Sequence, residues 1–162
     1  MKGFFMKSLP LENVQHYPRP PALEPVEQQI IIRHAVELIA QSDRAYRVLE
    51  THHAPTYYLP VDDILATLKP VSGNTFCEWK GVAHYFDLIT RQGVVSRAAW
   101  TYEDPSQTFT PISGYISFYA GKVDEAWVGD VKVIPQPGDF YGGWVTPNLE
   151  GRIKGAPGTN HW

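Results

Sequence analysis

The sequence predicts a mainly β fold: a single compact antiparallel β domain with one short helix and irregular arms at both ends. A chain of 162 residues has about the length of one domain. It holds 13 glycines and 14 prolines, too many for a helix bundle, because both residues destabilise helix interiors. Aromatic residues make up 13% of the chain and, together with β-branched residues, they favour strands.

The first part of the chain predicts an extended arm followed by a pair of strands. Residues 1–27 contain several prolines without apolar periodicity, which is typical of irregular extended chain. Residues 29–33 include three consecutive isoleucines and predict a strand, with residues 36–40 as its partner after a turn at 34–35. A helix over residues 26–39 is the alternative, and β-branching favours the strands.

The one short helix is predicted in the next part of the chain. Residues 45–51 alternate and indicate a further strand, and the prolines that bracket residues 55–60 hold that segment extended. Residues 61–68 then carry an apolar stripe at helical spacing, with Asp62 as a cap and Pro70 as a stop. We therefore expect a helix of about two turns there.

A series of strands separated by turns is predicted after this helix. Ser72, Gly73 and Asn74 form a turn signal, and residues 114–119 show clear alternation. The predicted strands cover residues 75–79, 83–90, 98–102, 114–119, 123–127 and 131–134.

The chain divides into an N-terminal arm (1–27), a β domain (28–134) and a C-terminal arm (135–162). The last arm is rich in glycine, proline and aromatic residues, and a disordered tail seldom carries so many rings. We expect it to be ordered coil packed on the domain. Candidate anchors of the two arms are Phe4, Phe5, Tyr17, Phe140, Tyr141, Trp144 and Trp162.

Charge and cysteine content exclude several classes of function. The formal net charge is −3 and the pI is near 6.0, so neither nucleic acid nor an anionic membrane is expected as a partner. Cys77 is the one cysteine, which excludes an intrachain disulfide and a multi-cysteine zinc site. No stretch resembles a signal peptide or a membrane span, so we expect a cytoplasmic protein. We expect no metal and no cofactor.

Five short stretches together point to a known family. They are residues 47–51 (RVLET), 55–60 (PTYYLP), 77–85 (CEWKGVAHY), 99–105 (AWTYEDP) and 112–118 (ISGYISF). In this order and spacing they resemble the domain-of-unknown-function 427 family, a family also called nucleotidyltransferases. The tail, with GDFYGGW and GAPGTNHW, is similar to that of longer bacterial members.

The resemblance implies a β-tent-like domain, similar in shape to methionine sulfoxide reductase B. Zinc-bearing proteins of that shape bind the metal with four cysteines. This chain has only Cys77, so the resemblance does not imply a zinc site here. The family supplies no catalytic residue to transfer. The sequence also lacks the glycine-rich loop that nucleotidyl transfer requires. It lacks the paired aspartates as well, because Asp62 and Asp63 are adjacent and their side chains point apart.

Ionisable and aromatic residues within these stretches define a candidate pocket. A mostly apolar pocket with a few polar groups is the usual form of a small-molecule site. Lys80, beside a glycine, is the candidate group to bind or polarise an acidic ligand, and Glu50 is the candidate to orient it or act as a base. The candidate pocket residues are Glu50, Tyr58, Cys77, Lys80, Tyr85, Trp100 and Tyr102.

Other interpretations of these residues remain open. The rings also suit an ordinary core, and Lys80 also suits a solvated turn. His53 and His84 with Glu50 suggest a metal site, although their spacing matches no defined motif. Cys77 suggests a redox role, for which a thiol of another molecule would have to reduce the oxidised cysteine. The two arms suggest a non-catalytic interaction module or a homodimer. The sequence predicts neither a substrate nor a reaction.

Overall fold

The computed structural model describes residues 9–138 and 140–159, and it confirms a mainly β fold. The candidate anchors Phe4, Phe5 and Trp162 lie outside the described residues. No helix among the described residues is long and apolar enough to cross a bilayer. The strands in these ranges are β1 (Glu12–Asn13), β2 (Ala22–Pro25), β3 (Ile30–His34), β4 (Glu37–Ser42), β5 (Tyr46–Leu49), β6 (Thr56–Tyr58), β7 (Thr67–Cys77), β8 (Gly81–Thr90), β9 (Gly93–Thr101), β10 (Ile116–Phe118), β11 (Glu125–Val128), β12 (Val131–Lys132), β13 (Ile134–Pro135), β14 (Trp144–Val145) and β15 (Leu149–Glu150).

Most of the strands form three antiparallel sheets that do not close into a barrel. Two sheets have four strands, in the orders β10-β9-β8-β7 and β12-β11-β3-β4, and the third has the order β2-β5-β6. Two short pairs complete the set: β13 with β14, and β1 with β15, which run parallel. Residues from both ends of the chain therefore pair with each other in this structure.

The isoleucine-rich segment forms a β-hairpin, so the helical alternative is wrong. β3 pairs with β4, and Ile30 and Ile32 are fully buried. The turn lies one residue later than predicted, at Ala35 and Val36, with φ values of 52° and 67°. A carboxylate oxygen of Asp124 accepts the Ala35 N–H at 2.9 Å, which helps to hold this left-handed turn without glycine.

The predicted helix over residues 61–68 does not form. Only Val61–Asp63 is helical, as one 3₁₀ turn, and the chain then becomes extended. The N–H of Leu65 donates to the carbonyl of Ile39 at 2.8 Å, and Thr67 already begins β7. A two-turn helix has little stability of its own, so pairing with neighbouring strands decides the conformation here. The other helical segments described are also 3₁₀ turns: Val14–His16, Gln107–Ile112 and Ala120–Lys122.

The predicted turn at Ser72, Gly73 and Asn74 is instead a β-bulge within β7. The register against β8 shifts between Val71 and Asn74, and Gly73 has a φ of 92°. A second bulge lies across the same sheet in β9, which begins earlier than predicted. There residues 96–98 of β9 stand opposite Asp87 alone. Bulges redirect side chains, and this one determines where Arg97 points.

The hydrophobic core has two main clusters. The larger cluster lies around the β3–β4 hairpin and includes Ile30, Leu88, Phe118 and Trp144. The smaller one consists mainly of rings from β6, β8 and β9 and the segments after β9, including Tyr58. This second cluster forms the floor of the cleft described below.

Candidate functional site

All seven candidate pocket residues line one cleft of about 310 Å³. The cleft lies between the β7–β8 hairpin, the chain that follows β5, and the C-terminal segment (residues 135–138 and 140–159). The structure thus brings together the seven side chains that the sequence singled out, which are Glu50, Tyr58, Cys77, Lys80, Tyr85, Trp100 and Tyr102. The wall also includes polar and aromatic side chains outside these seven, among them His53, Tyr119, Tyr141 and Lys154.

The β7–β8 hairpin places Lys80 at the edge of the cleft. Cys77 pairs with Gly81 across the end of the hairpin, and Gly81 has a left-handed φ of 107°. The Ser106 hydroxyl donates to the carbonyl of Trp79 at 2.5 Å, and the Ser106 N–H donates to the carbonyl of Lys80 at 3.2 Å. This turn is thereby tied to the loop after β9, and Lys80 is held at 8% exposure.

An aromatic ring, and none of the described carboxylates, lies beside the Lys80 ammonium group. Its Nζ lies 5.8 Å from the ring centroid of Tyr102. Within residues 9–138 and 140–159 no acidic side chain lies within ion-pairing distance of this Nζ. Lysine is rarely buried without a partner, and none of the described carboxylates serves as that partner for Lys80.

The floor and walls of the cleft are aromatic. Tyr85 of β8 pairs with Trp100 of β9, so their side chains lie on the same face of the sheet. The Trp100 ring contacts Tyr119 at a centroid distance of 4.5 Å and meets Tyr58 edge-on at 6.3 Å. Burial raises the pKa of both Tyr58 and Tyr102, so their hydroxyls stay protonated at neutral pH.

The hydroxyl of Tyr58 is buried without a hydrogen-bond partner among the described residues. The Trp100 indole lies beside it, but the two groups do not have hydrogen-bond geometry. An unsatisfied buried hydroxyl costs free energy, so Tyr58 joins Lys80 as a polar group of the cleft whose partner is not found among the described residues.

The C-terminal segment covers the other side of the cleft. Gly142 passes so close to Trp100 that a Cβ atom there would lie 2.2 Å from the indole. Nearby, the Nζ of Lys154 lies 5.6 Å from the ring centroid of Tyr141. Nothing in the local sequence of this segment indicates that it faces the β domain's candidate pocket, because the contact joins distant parts of the chain.

Hydrogen bonds through Gln136 determine which nitrogen of His53 carries the proton. The Ala54 N–H donates to one side-chain atom of Gln136 at 3.2 Å, so that atom is the oxygen. The amide nitrogen then donates to the Lys154 carbonyl at 2.9 Å and faces the Nδ1 of His53 at 3.2 Å. Nδ1 is therefore an acceptor, and the neutral ring carries its proton on Nε2. That nitrogen lies 3.8 Å from a carboxylate oxygen of Glu50.

We expect His53 to stay neutral in the folded protein down to acidic pH. Burial lowers its pKa from 6.5 to about 4, and the charges of Lys154 and Lys80 contribute. The unfolded chain therefore binds a proton between these two pH values that the folded chain does not bind. The contribution of neutral His53 to the free energy of unfolding should be fully present above pH 6.5. It should fall as the pH drops towards 4, by up to about 3 kcal/mol.

Urea unfolding of the wild type and of His53→Gln at neutral and acidic pH measures this effect. Glutamine does not titrate, so the variant should lose less stability on acidification than the wild type. An equal loss in the two proteins would contradict the assignment. ¹⁵N spectra of the imidazole report independently whether Nε2 carries the proton.

The alternative metal site does not assemble in the described part of the chain. His53 and Glu50 are neighbours, but His84 does not line the cleft, and no group of three potential ligands is found among these residues. Cys77 is a half-buried free cysteine on the cleft wall.

Comparison with known proteins gives a family match and no curated relative. A family model described as "Domain of unknown function (DUF427)" matches residues 22–129. No curated protein matches the chain. The matched region contains all seven predicted pocket residues, and Gln136, Tyr141 and Lys154 lie beyond it.

Proposed function

Since this chain belongs to the domain-of-unknown-function 427 family, whose description assigns no activity, we propose a function from the chemistry of the cleft. The domain binds a small molecule that combines a flat apolar body with an anionic group. The observation that carries this proposal is Lys80, a buried ammonium group on the cleft wall with no carboxylate partner among the residues described. A carboxylate or phosphate of the ligand supplies that partner.

The aromatic walls support an apolar body for this ligand. Stacked and edge-on rings offer large, rigid contact areas, and cavities of this size hold small molecules. Trp100 and Tyr102 are only 6% and 7% exposed, which keeps the region beside Lys80 shielded from water. Such shielding strengthens the attraction between an ammonium group and an anion.

Polar groups of fixed direction line the same cleft. The Nε2–H of His53 is a donor, the Glu50 carboxylate is an acceptor, and the Tyr58 hydroxyl has no partner in the described structure. A ligand with one acceptor and one donor beside its anionic group therefore fits better than a simple aromatic acid. These groups orient a ligand, while Lys80 supplies the main attraction.

Benzoate and its neutral analogue benzamide test the role of Lys80. We expect the wild type to bind benzoate about tenfold more tightly, which corresponds to about 1.4 kcal/mol from a charge-assisted hydrogen bond. Lys80→Met should remove this preference, and Lys80→Arg should retain part of it. Titration followed by amide NMR shifts measures each affinity and shows whether the shifts map to the cleft.

Lys132→Met is the matched control, because Lys132 is exposed on β12 and lines none of the described cavities. It should bind both probes as the wild type does. Thermal unfolding of each variant shows whether it is folded. A folded Lys80→Met protein that still prefers benzoate would overturn the proposed function.

A further inference from the structure

A second cavity of about 510 Å³ adjoins the cleft. The two cavities are neighbouring parts of one groove, because their walls share Thr75, Tyr85, Tyr119, Phe140, Tyr141 and Gly143. The second cavity has its own cations, and these are side chains that the proposed function does not use.

Arg97 projects into this second cavity because of the bulge in β9. Its φ is 47°, a left-handed conformation that costs a non-glycine residue about 1 kcal/mol or more. The carboxylate of Asp87 accepts the Arg97 N–H at 2.8 Å and holds the bulge in place. Strained backbone that persists in this way is often found at functional sites.

Two contacts orient the guanidinium group. It lies 4.2 Å from the ring centroid of Tyr85, a cation–π contact, and its NH1 donates to the Ser72 carbonyl at 3.3 Å. That carbonyl belongs to the bulge in β7, so the two bulges together determine the position of this group. Tyr85 also lines the cleft of Lys80.

The described residues use only a small part of the hydrogen-bonding capacity of Arg97. A guanidinium has five N–H donors, and the carbonyl of Ser72 accepts from one nitrogen. No carboxylate pairs with the guanidinium in the described ranges, since Asp87 binds the backbone N–H instead. Lys122 lies in the same cavity and donates to the Ser96 carbonyl at 2.9 Å, within the β9 bulge.

We propose that Arg97 and Lys122 form a second anion subsite for the same ligand, which therefore carries anionic groups at both ends of an apolar body. This inference rests on the proposed function for the Lys80 end. The ligand body crosses Tyr85 and Tyr119, which both cavities share. The class of ligand is a molecule with two separated carboxylate or phosphate groups.

Linear dicarboxylates from succinate to sebacate test this, with monocarboxylates of matched chain length as references. At one chain length the dicarboxylate should bind about tenfold more tightly than its reference, because the second group binds at high effective concentration. Arg97→Asn is the test variant, since asparagine tolerates a left-handed φ and keeps the bulge while removing the guanidinium. It should abolish the excess affinity, so that each dicarboxylate binds no more tightly than its monocarboxylate reference.

The outcomes separate this inference from the proposed function. If no dicarboxylate exceeds its reference, or if the excess survives in Arg97→Asn, the second subsite is overturned while Lys80 binding stands. If Lys80→Met changes no monocarboxylate affinity, the proposed function fails. Inorganic phosphate added to Lys80→Met protein then tests Arg97 without Lys80. A shift of the Arg97 Nε–H NMR signal supports the subsite, and no shift overturns it.

Arg91→Gln is the matched control, because Arg91 lies in an exposed turn. This variant should bind every probe as the wild type does.

Discussion

Replacing Trp144 by alanine should lower the free energy of unfolding by about 3–5 kcal/mol. The side chain is completely buried, and its ring stacks on Tyr57 at a centroid distance of 4.9 Å. Its indole N–H donates to the Phe118 carbonyl at 2.9 Å, so the substitution also leaves a buried acceptor without a partner. Urea unfolding followed by circular dichroism measures the change in midpoint.

Phe140→Ala is the matched control for Trp144→Ala, since both residues are aromatic and belong to the same segment. Phe140 is 73% exposed, and its replacement should change stability by less than about 0.5 kcal/mol. An equally small effect of both substitutions would show that the C-terminal segment does not contribute to the folded core. Trp144 lies beyond the family match, so a large effect would mean that this core needs residues outside the matched region.

Gly143→Ala should destabilise the protein by about 1–3 kcal/mol and disturb the cleft. A Cβ atom at this position would lie 2.2 Å from the Gln136 side-chain oxygen and 2.6 Å from the Ala54 carbonyl oxygen. Gln136 is 1% exposed and has little room to move away. Because Gln136 orients His53, we expect the variant to lose the Nε2–H form of the ring as well as stability.

Urea unfolding and ¹⁵N imidazole spectra of Gly143→Ala measure the two effects separately. Gly121→Ala is the control: its Cβ would meet Pro135 atoms at 3.6 Å, an ordinary contact, and stability should change by less than about 0.5 kcal/mol. A Gly143→Ala protein with wild-type stability and an unchanged His53 spectrum would contradict the packing described around Gln136.

Most strands were predictable because their signals are local. These signals are β-branching in β3, the prolines around β6 and the alternation near β10. Each favours extended chain over only a few residues. The predictions failed where contacts between distant residues outweigh local preference. Residues 61–68 have a helical pattern, but they pair with β4 and lead into β7. The turn signal at Gly73 corresponds to a bulge, because β7 pairs with β8 on both sides of it.

The candidate site shows the same division. Lys80, Glu50 and the rings of β8 and β9 were identified from residue types, and they do line one cleft. Gln136 was not identified, because a glutamine in a proline-rich tail carries no signal of its own. Its amide contacts His53, which lies 83 positions earlier in the chain.

By itself the sequence determined the mainly β fold, the positions of most strands and the chemical character of the cleft. Composition, β-branching and turn residues express preferences of each short segment, and these survive folding when the tertiary contacts agree with them. Only the tertiary structure decided the bulge that directs Arg97, the proton position on His53 and the closeness of the C-terminal segment to Trp100. Each depends on the distance between groups far apart in the chain, which local preference does not encode.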